Sequence, residues 1–343
     1  MLGISVYFQD LDYEYLKEAR KLGAKYLFTS LHLPEEDLSN LAKELPKFLK
    51  FINELDFHLI PDISPSTFSK LNLADNDYEG LKKLGFKVLR LDYGFDDFNL
   101  IKQIQQNFDI VLNASTINEK YLHYAKKNGI DLSKISLMHN FYPKTDTGLP
   151  KDHFKTLNEA FIKNDLNIMA FVTGDNLKRF PLYEGLPSLE DHRNTNPYIA
   201  TLDLINNFGV STILIGDSKA KIKTLKYISE YLETRVITIP TLLEKEYEYL
   251  YDNTYSVRRD PSYKIIRLGI PRKEGIEVIN NNDRIKGAIT MDNKLAGRYS
   301  GEVNIHKFNN GISSRSNIIG YIHPEYIDLV DYIKNHKIKF VKP

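Results

Sequence analysis

The chain has 343 residues, 42% of them hydrophobic, 12% aromatic and 27% charged; this excludes a disordered or collagen-like polymer and, at about 100–200 residues per domain, predicts about two domains. Lys and Arg total 46 against 45 Asp and Glu, a formal net charge of +1, so the basic excess of a sequence-independent nucleic-acid binder is missing. There is no cysteine, which rules out disulfide frameworks, Cys-based zinc sites and cysteine nucleophiles.

At the amino terminus, Leu2 to Phe8 is apolar but stops at Gln9-Asp10 and has no basic leader, which is too short for a signal-peptide core. No stretch reaches the roughly 18–20 apolar residues of a membrane span. The expectation is a soluble, cytoplasmic protein with no membrane partner.

Short apolar runs rich in β-branched and aromatic residues then recur: Gly3–Phe8, Tyr26–Leu31, Phe57–Ile60, Val88–Leu91, Ile110–Leu112, Ile135–Met138, Ile168–Val172 and Thr212–Ile215. Helical periodicity fills the gaps. Leu11, Tyr15, Ala19 and Leu22 form one stripe, and Leu38, Leu41, Leu45, Phe48, Ile52 and Leu55 another, which Pro46 is predicted to kink or divide. Strand then helix, eight times over about 230 residues, predicts a (β/α)8 barrel of the TIM type. A doubly wound sheet is the rival, but no Gly-x-Gly-x-x-Gly follows the first run.

After about Leu232 the texture changes. Runs at Val236–Ile239, Tyr263–Ile270, Arg284–Met291, Gly301–His306 and Ile318–Ile322 are separated by Asn/Gly/Asp turns, which predicts a β-rich second domain with one helix near 325–335. The expected domains are 1–234 and 235–343.

A barrel of this type carries its active site at the carboxyl ends of its strands. Those ends read Gln9-Asp10, Thr29-Ser30 with His32, Asp62, Arg90-Leu91-Asp92, Asn113 with Ser115, His139-Asn140-Phe141-Tyr142, Thr173-Gly174-Asp175 and Gly216-Asp217-Ser218. Asp10, Asp217 and Ser218 also suit helix N-caps, as do Ser64 and Ser66 after Asp62. Arg90 and Asp92 share a strand face and suit an ion pair, and His139 suits a satisfied interior position. The seventh connection is the longest, and it brings Lys178, Arg179, Glu184, Glu190, Asp191, His192 and Arg193 together; long βα loops are usually functional. Lys25 and Lys87 lie at strand starts, the wrong end for a Schiff-base lysine. No His-Glu-x-x-His, Gly-x-Ser-x-Gly or P-loop is present, so no metal or cofactor is expected. Carboxylate-pair chemistry remains, as in glycoside hydrolysis.

The most specific stretches are His139-Asn140-Phe141-Tyr142-Pro143 with Thr147-Gly148-Leu149, and Glu184-Gly185-Leu186-Pro187-Ser188-Leu189-Glu190-Asp191-His192-Arg193. With Asp62-Ile63-Ser64-Pro65, Arg90-Leu91-Asp92-Tyr93-Gly94-Phe95, Leu112-Asn113-Ala114-Ser115 and Arg298-Tyr299-Ser300-Gly301-Glu302, they resemble the bacterial 6-phospho-N-acetylmuramidases over nearly the whole chain. The resemblance implies a TIM-type barrel followed by a cyclophilin-like β-barrel. It also implies cytoplasmic cleavage of 6-phospho-MurNAc-β-1,4-GlcNAc into MurNAc 6-phosphate and GlcNAc during cell-wall recycling.

On that reading Asp92 and Glu184 are the leading catalytic carboxylates, with Asp62 and Asp10 in reserve. Asn113, His139, Asn140 and Tyr142 are expected to bind sugar hydroxyls or the lactyl carboxylate. The 6-phosphate is expected at Thr173, Gly174 and Gly216 with Arg193, beside His192, and Arg298 of the second domain is a further candidate. Tyr247, Tyr249, Tyr251 and Tyr255 suit a packed junction better than a sugar platform. The small-molecule partner is a phosphorylated amino-sugar disaccharide. A phosphosugar isomerase or epimerase, a glycosidase for another phosphodisaccharide and a non-catalytic sugar-phosphate sensor are the alternatives.

Overall fold

The computed structural model describes residues 1–31, 41–334 and 336–343; the expectations for His32, Leu38 and the helical end at Asn335 lie outside them. Two compact units divide the chain, Met1–Ser229 and Glu230–Pro343.

The first unit is a closed barrel of eight parallel strands. In order these are β1 (Leu2–Ser5), β2 (Ala24–Ser30), β3 (His58–Ile63), β4 (Val88–Leu91), β5 (Asp109–Asn113), β6 (Ile135–Met138), β7 (Asn167–Val172) and β8 (Thr212–Ile215). Each falls on one of the eight apolar runs. Between and after them lie α1 (Tyr13–Lys21), α2 (Leu41–Glu54), α3 (Pro65–Lys70), α4 (Tyr78–Lys83), α5 (Phe98–Ile104), α6 (Glu119–Lys127), α7 (Lys151–Lys163), α8 (Pro197–Phe208) and α9 (Ile222–Thr234). Pro46 sits inside α2, which continues past it to Glu54.

Local capping follows chemistry that the sequence carried, with shifts in residue. Asp12, not Asp10, caps α1, accepting from the Glu14 and Tyr15 amides at 3.0 and 3.1 Å. Ser64 takes the N-cap position of α3, and its amide donates to the Thr67 hydroxyl. Asp175, not Asp217 or Ser218, serves the start of α9, accepting from the Lys221 amide and the Thr224 hydroxyl.

Side chains alternate along a strand, so every second residue enters the barrel. Phe28, Ile60, Val111, Met138, Met169, Phe171 and Leu214 fill it as one buried cluster. Phe171 meets Phe28 and Phe141 edge-to-face at 5.1 and 5.2 Å between centroids. This plug closes the barrel below the strand ends, so the positions two residues further along each strand form the floor of the mouth.

The second unit holds a seven-stranded sheet. Its strands are β9 (Val236–Leu243), β10 (Thr254–Ser256), β11 (Ile265–Arg267), β12 (Ala288–Asp292), β13 (Val303–His306), β14 (Ser316–Ile322) and β15 (Lys337–Val341). Their order in the sheet is β10-β15-β9-β14-β12-β13-β11. Two strands escape the sequence reading: β10 is only three residues long, and β15 alternates Lys with Ile and Phe rather than forming an apolar run. The expected late helix is a 3-10 helix over Pro324–Asp331, with Tyr326 donating to the His323 carbonyl and Tyr332 to Leu329. The tyrosine cluster packs locally: the Tyr251 hydroxyl donates to the Thr241 carbonyl and Tyr255 to Leu250, while Tyr249 is exposed. Among the described residues no helix is long and apolar enough to cross a membrane.

Phe171→Ala would empty the centre of the barrel plug, where Phe171 is fully buried. The expected loss is about 3–5 kcal/mol, read as a lower denaturant midpoint for the unfolding of the first unit.

Candidate active site

The alternation that builds the plug selects what enters the mouth. Two residues above Ile60 comes Asp62, and two above Val88 comes Arg90, paired with Asp62 in register. Two above Val111 comes Asn113, and two above Met138 comes Asn140. Thr173 stands two above Phe171, and Gly216 two above Leu214.

Arg90 organises this ring. Its Nη1 donates to Asp62 Oδ1 at 2.5 Å and lies 3.6 Å from Asp92 Oδ1; its Nη2 donates to Asn140 Oδ1. One guanidinium therefore ties β3, β4 and the end of β6 together. The pair is buried, with side-chain exposures of 3% for Arg90 and 8% for Asp62, whereas Asp92 is 24% exposed. Removing the carboxylate from such a pair costs about 3–5 kcal/mol, because a buried cation is left uncompensated. Arg90 Nε is also sealed from solvent and has no hydrogen-bond partner among the described residues.

Beside this cluster the ends of β5 and β6 are knit together. Asn113 Oδ1 accepts from the Ser115 amide, and the Ser115 hydroxyl accepts from the Asn140 amide at 2.9 Å. Burial pushes the Tyr142 phenol up, with Ser115 as a hydrogen-bonding neighbour opposing the rise.

His139 points the other way. One residue out of phase with Asn140, it lies in the helix layer, fully buried, with Nε2 at 2.7 Å from Asn158 Oδ1 of α7 and its ring against Phe154. Burial lowers its pKa to about 4. It packs the β6–α7 interface, and its other ring nitrogen, Nδ1, lies 3.4 Å from the Ser115 hydroxyl, so it backs the mouth from behind Ser115 rather than standing open to a ligand.

The seventh connection also departs from expectation. Arg193 spends every donor on the protein: Nε and Nη2 on the two Glu190 carboxylate oxygens at 2.6 and 2.7 Å, Nη1 on the Tyr142 and Gly185 carbonyls, and Nη2 also on Lys144. The guanidinium, helped by backbone donors Asp146 and Gly148, holds Glu190 down to about 2. Arg193 thus has no N–H left for a phosphate; it clamps the loops after β6 and β7. His192 Nε2 meets Asp203 Oδ2 of α8 at 2.8 Å, both buried, a second structural contact. Burial pushes Asp203 up, but hydrogen bonds from His192 and Asn207 outweigh it and hold the carboxyl low.

The backbone cradle expected for phosphate is filled by the chain itself. Asp217 accepts from the Gly174, Arg179 and Leu186 amides; burial raises its pKa against those three donors. The Gly216 amide donates to the Val172 carbonyl, and a Cβ there would collide with the Leu186 carbonyl. Gly174 and Gly216 let the two loops close on each other, and their amides are already spent within the chain. Thr173, buried, remains on the inward face above Phe171.

Glu184 stands apart from the Arg90 cluster in its contacts: Oε2 accepts from the Thr145 hydroxyl and amide at 2.7 and 2.6 Å, which lower its pKa. Asp10 accepts from the Ser218 hydroxyl at 2.7 Å, bridging β1 to β8. Arg179 is buried, its guanidinium 4.4 Å over the Tyr7 ring. Arg298 belongs to the second unit, where it donates to the Tyr299 hydroxyl. Among the described residues no three His, Asp or Glu side chains converge as a metal-holding set.

The N-terminal model of the 6-phospho-N-acetylmuramidase family matches residues 2–230, and its C-terminal model matches residues 232–341. The chain belongs to the 6-phospho-N-acetylmuramidase family. That family name implies a glycosidase and a phosphorylated amino-sugar substrate. A conserved Enterococcus faecalis protein of unknown function is similar in structure, with a TM-score of 0.87 and 27% identity over 100% of this chain and 96% of that one. An uncharacterized B. cereus protein is also similar, with a TM-score of 0.80 and 25% identity over 99% of both chains. No curated protein matches the sequence.

The buried histidine is expected to make this muramidase-family chain acid-sensitive. His139 is neutral when folded and titrates at about 4, while in the unfolded chain it titrates near 6.5. As pH falls through about 6.5 the unfolded state gains a proton that the folded state refuses, so stability declines until about pH 4, by about 3 kcal/mol for this residue. His139→Gln keeps an amide facing Asn158 and is expected to flatten that pH slope in denaturant titrations.

Proposed function

We propose that the chain hydrolyses the β-1,4 bond of 6-phospho-MurNAc-GlcNAc, releasing MurNAc 6-phosphate and GlcNAc in cytoplasmic peptidoglycan recycling. The observation that carries this reading is the Asp62–Arg90–Asp92 cluster at the strand ends of a family-matched barrel. Two carboxylates share one guanidinium nitrogen, at 2.5 and 3.6 Å, so their nearest oxygens lie no farther apart than those distances together. That spacing is within reach of the about 5–5.5 Å typical of retaining pairs.

Asp92, the more accessible of the two, is assigned the proton donated to the glycosidic oxygen. Asp62, anchored by Arg90, is assigned the negative charge facing the oxocarbenium-like centre. Asn113, Asn140 and Tyr142 border the cluster and supply hydrogen bonds to sugar hydroxyls. With Arg193 committed to Glu190, the cations of the seventh connection assigned to the 6-phosphate are Lys178 and Arg179. Thr173 lies on the same wall.

Incubation with 6-phospho-MurNAc-GlcNAc, followed by mass spectrometry of released GlcNAc, tests the reading. Asp92→Asn and Asp62→Asn are each expected to lower kcat by about 10²–10⁴-fold, while Glu184→Gln stays within a few-fold of the unmodified chain. Turnover of another phosphodisaccharide but not this one would retain the reaction class and reject the substrate. Near-normal rates in both aspartate variants would reject the site. Loss of activity on chelation would favour the isomerase or epimerase alternative.

A further inference from the structure

The second unit contains a polar cavity of about 300 Å³, bordered by β11, β12, β13 and β14. Alternation again explains its walls. On β12 and β13, Ile289, Met291, Val303 and Ile305 pack into an apolar core, so their neighbours Thr290, Asp292, Asn304 and His306 take the opposite face. Thr290 lies across from Asn304, Ile265 from His306 and Asp292 from Ser316. A sheet face of this kind usually meets water, yet Thr290, Asn304 and His306 are each at most 3% exposed.

Most of that buried polarity is satisfied internally. The Ser316 hydroxyl donates to Asp292 Oδ1 at 2.6 Å, and His306 Nε2 lies 3.2 Å from the Thr290 hydroxyl. Its Nδ1 meets the Asn310 amide. Asn304 is the exception: its Oδ1 is sealed from solvent and accepts no hydrogen bond among the described residues. A buried amide oxygen without a donor is costly, and such groups in native proteins call for an explanation.

The rest of the lining supplies a charge balance. Arg284, Arg315 and the carboxylate of Asp292 all line the cavity, and burial with Arg284 nearby keeps His306 neutral near pH 7, its pKa lowered to about 4. Tyr299, on the same wall, is flanked by the guanidinium groups of Arg272 and Arg298 at 5.1 and 5.0 Å from its ring. The cavity thus carries two guanidinium groups against one carboxylate in its lining, offers one unused acceptor, and includes the Tyr299 side chain with Ile265 and Ala296. Its volume stands at the lower end of ligand pockets, about 300–1,000 Å³, which suits one sugar ring rather than two.

We propose that this cavity binds a small hydroxylated anion of the size of one phosphorylated or carboxylated monosaccharide. A ligand hydroxyl or amide N–H donates to Asn304 Oδ1, and its anionic group sits between Arg284 and Arg315. The assignment is independent of hydrolysis in the barrel.

Calorimetric titration of the full chain with glucose 6-phosphate, glucuronate and inorganic phosphate as separate probes tests it. At least one sugar anion is expected to bind more tightly than inorganic phosphate. Arg315→Gln and Asn304→Leu are each expected to weaken that binding by about tenfold or more. Asn304→Leu should also hold or raise the thermal midpoint, since it removes a buried acceptor that no protein group satisfies. A structural role for Asn304 would lower the midpoint instead, and that outcome overturns the proposal. So does the absence of binding by both sugar anions, equal binding of inorganic phosphate, or binding that neither variant changes.

Discussion

The barrel mouth depends on one buried guanidinium. Arg90 enters the barrel because β4 alternates, and once there it must be paired, since an isolated buried cation is too costly to keep. Asp62 from β3 and Asn140 from the end of β6 meet that requirement, and Asp92 stands beside it. The same contacts that neutralise Arg90 therefore gather the acidic and amide groups of three strands into one cluster. Asp62 is bound closest and is most buried; Asp92 is farther from the cation and nearer to solvent. That asymmetry is what separates their proposed chemical roles.

The loops around the mouth show a different economy of charge. The seventh connection is dense in ionic residues, yet Arg193 with Glu190, and His192 with Asp203, spend that charge on holding the chain in place. Asp217 does the same through three backbone amides. A loop with this many internal contacts is a firmly held wall, which is what orienting a substrate in the proposed reaction requires. Residues of one stretch thus divide between framework and the face open to a ligand, although their chemistry alone looks alike.

In the second unit the division is reversed. There a polar sheet face is buried where water would be expected, with Asn304 left as an acceptor without a donor. Both units place polar groups above or against an apolar layer by strict alternation, the barrel around its aromatic plug and the sheet opposite Ile289, Met291, Val303 and Ile305. A two-residue period is the device common to both sites.

The eight barrel strands were legible from their apolar runs, because a strand buried on both faces leaves a continuous signature. The three-residue β10 and the Lys-interrupted β15 were not, since neither carries such a run. Strand-end positions of Asp62, Arg90, Asn113 and Asn140 followed from the same runs. His139 and Asn140 are adjacent and equally polar, and only the phase of β6 relative to the plug sends one into the helix layer and the other into the mouth. Likewise, Glu190 is a local partner for Arg193 three residues before it, but the carbonyls of Tyr142 and Lys144 that help to use up its other donors lie about fifty residues away. Composition and periodicity by themselves determined the fold class, and they directed the proposed site to the strand ends and to carboxylates. Which carboxylates stand together, and which cations are already spent, was decided by tertiary structure, because hydrogen bonds and ion pairs saturate through contacts distant in sequence.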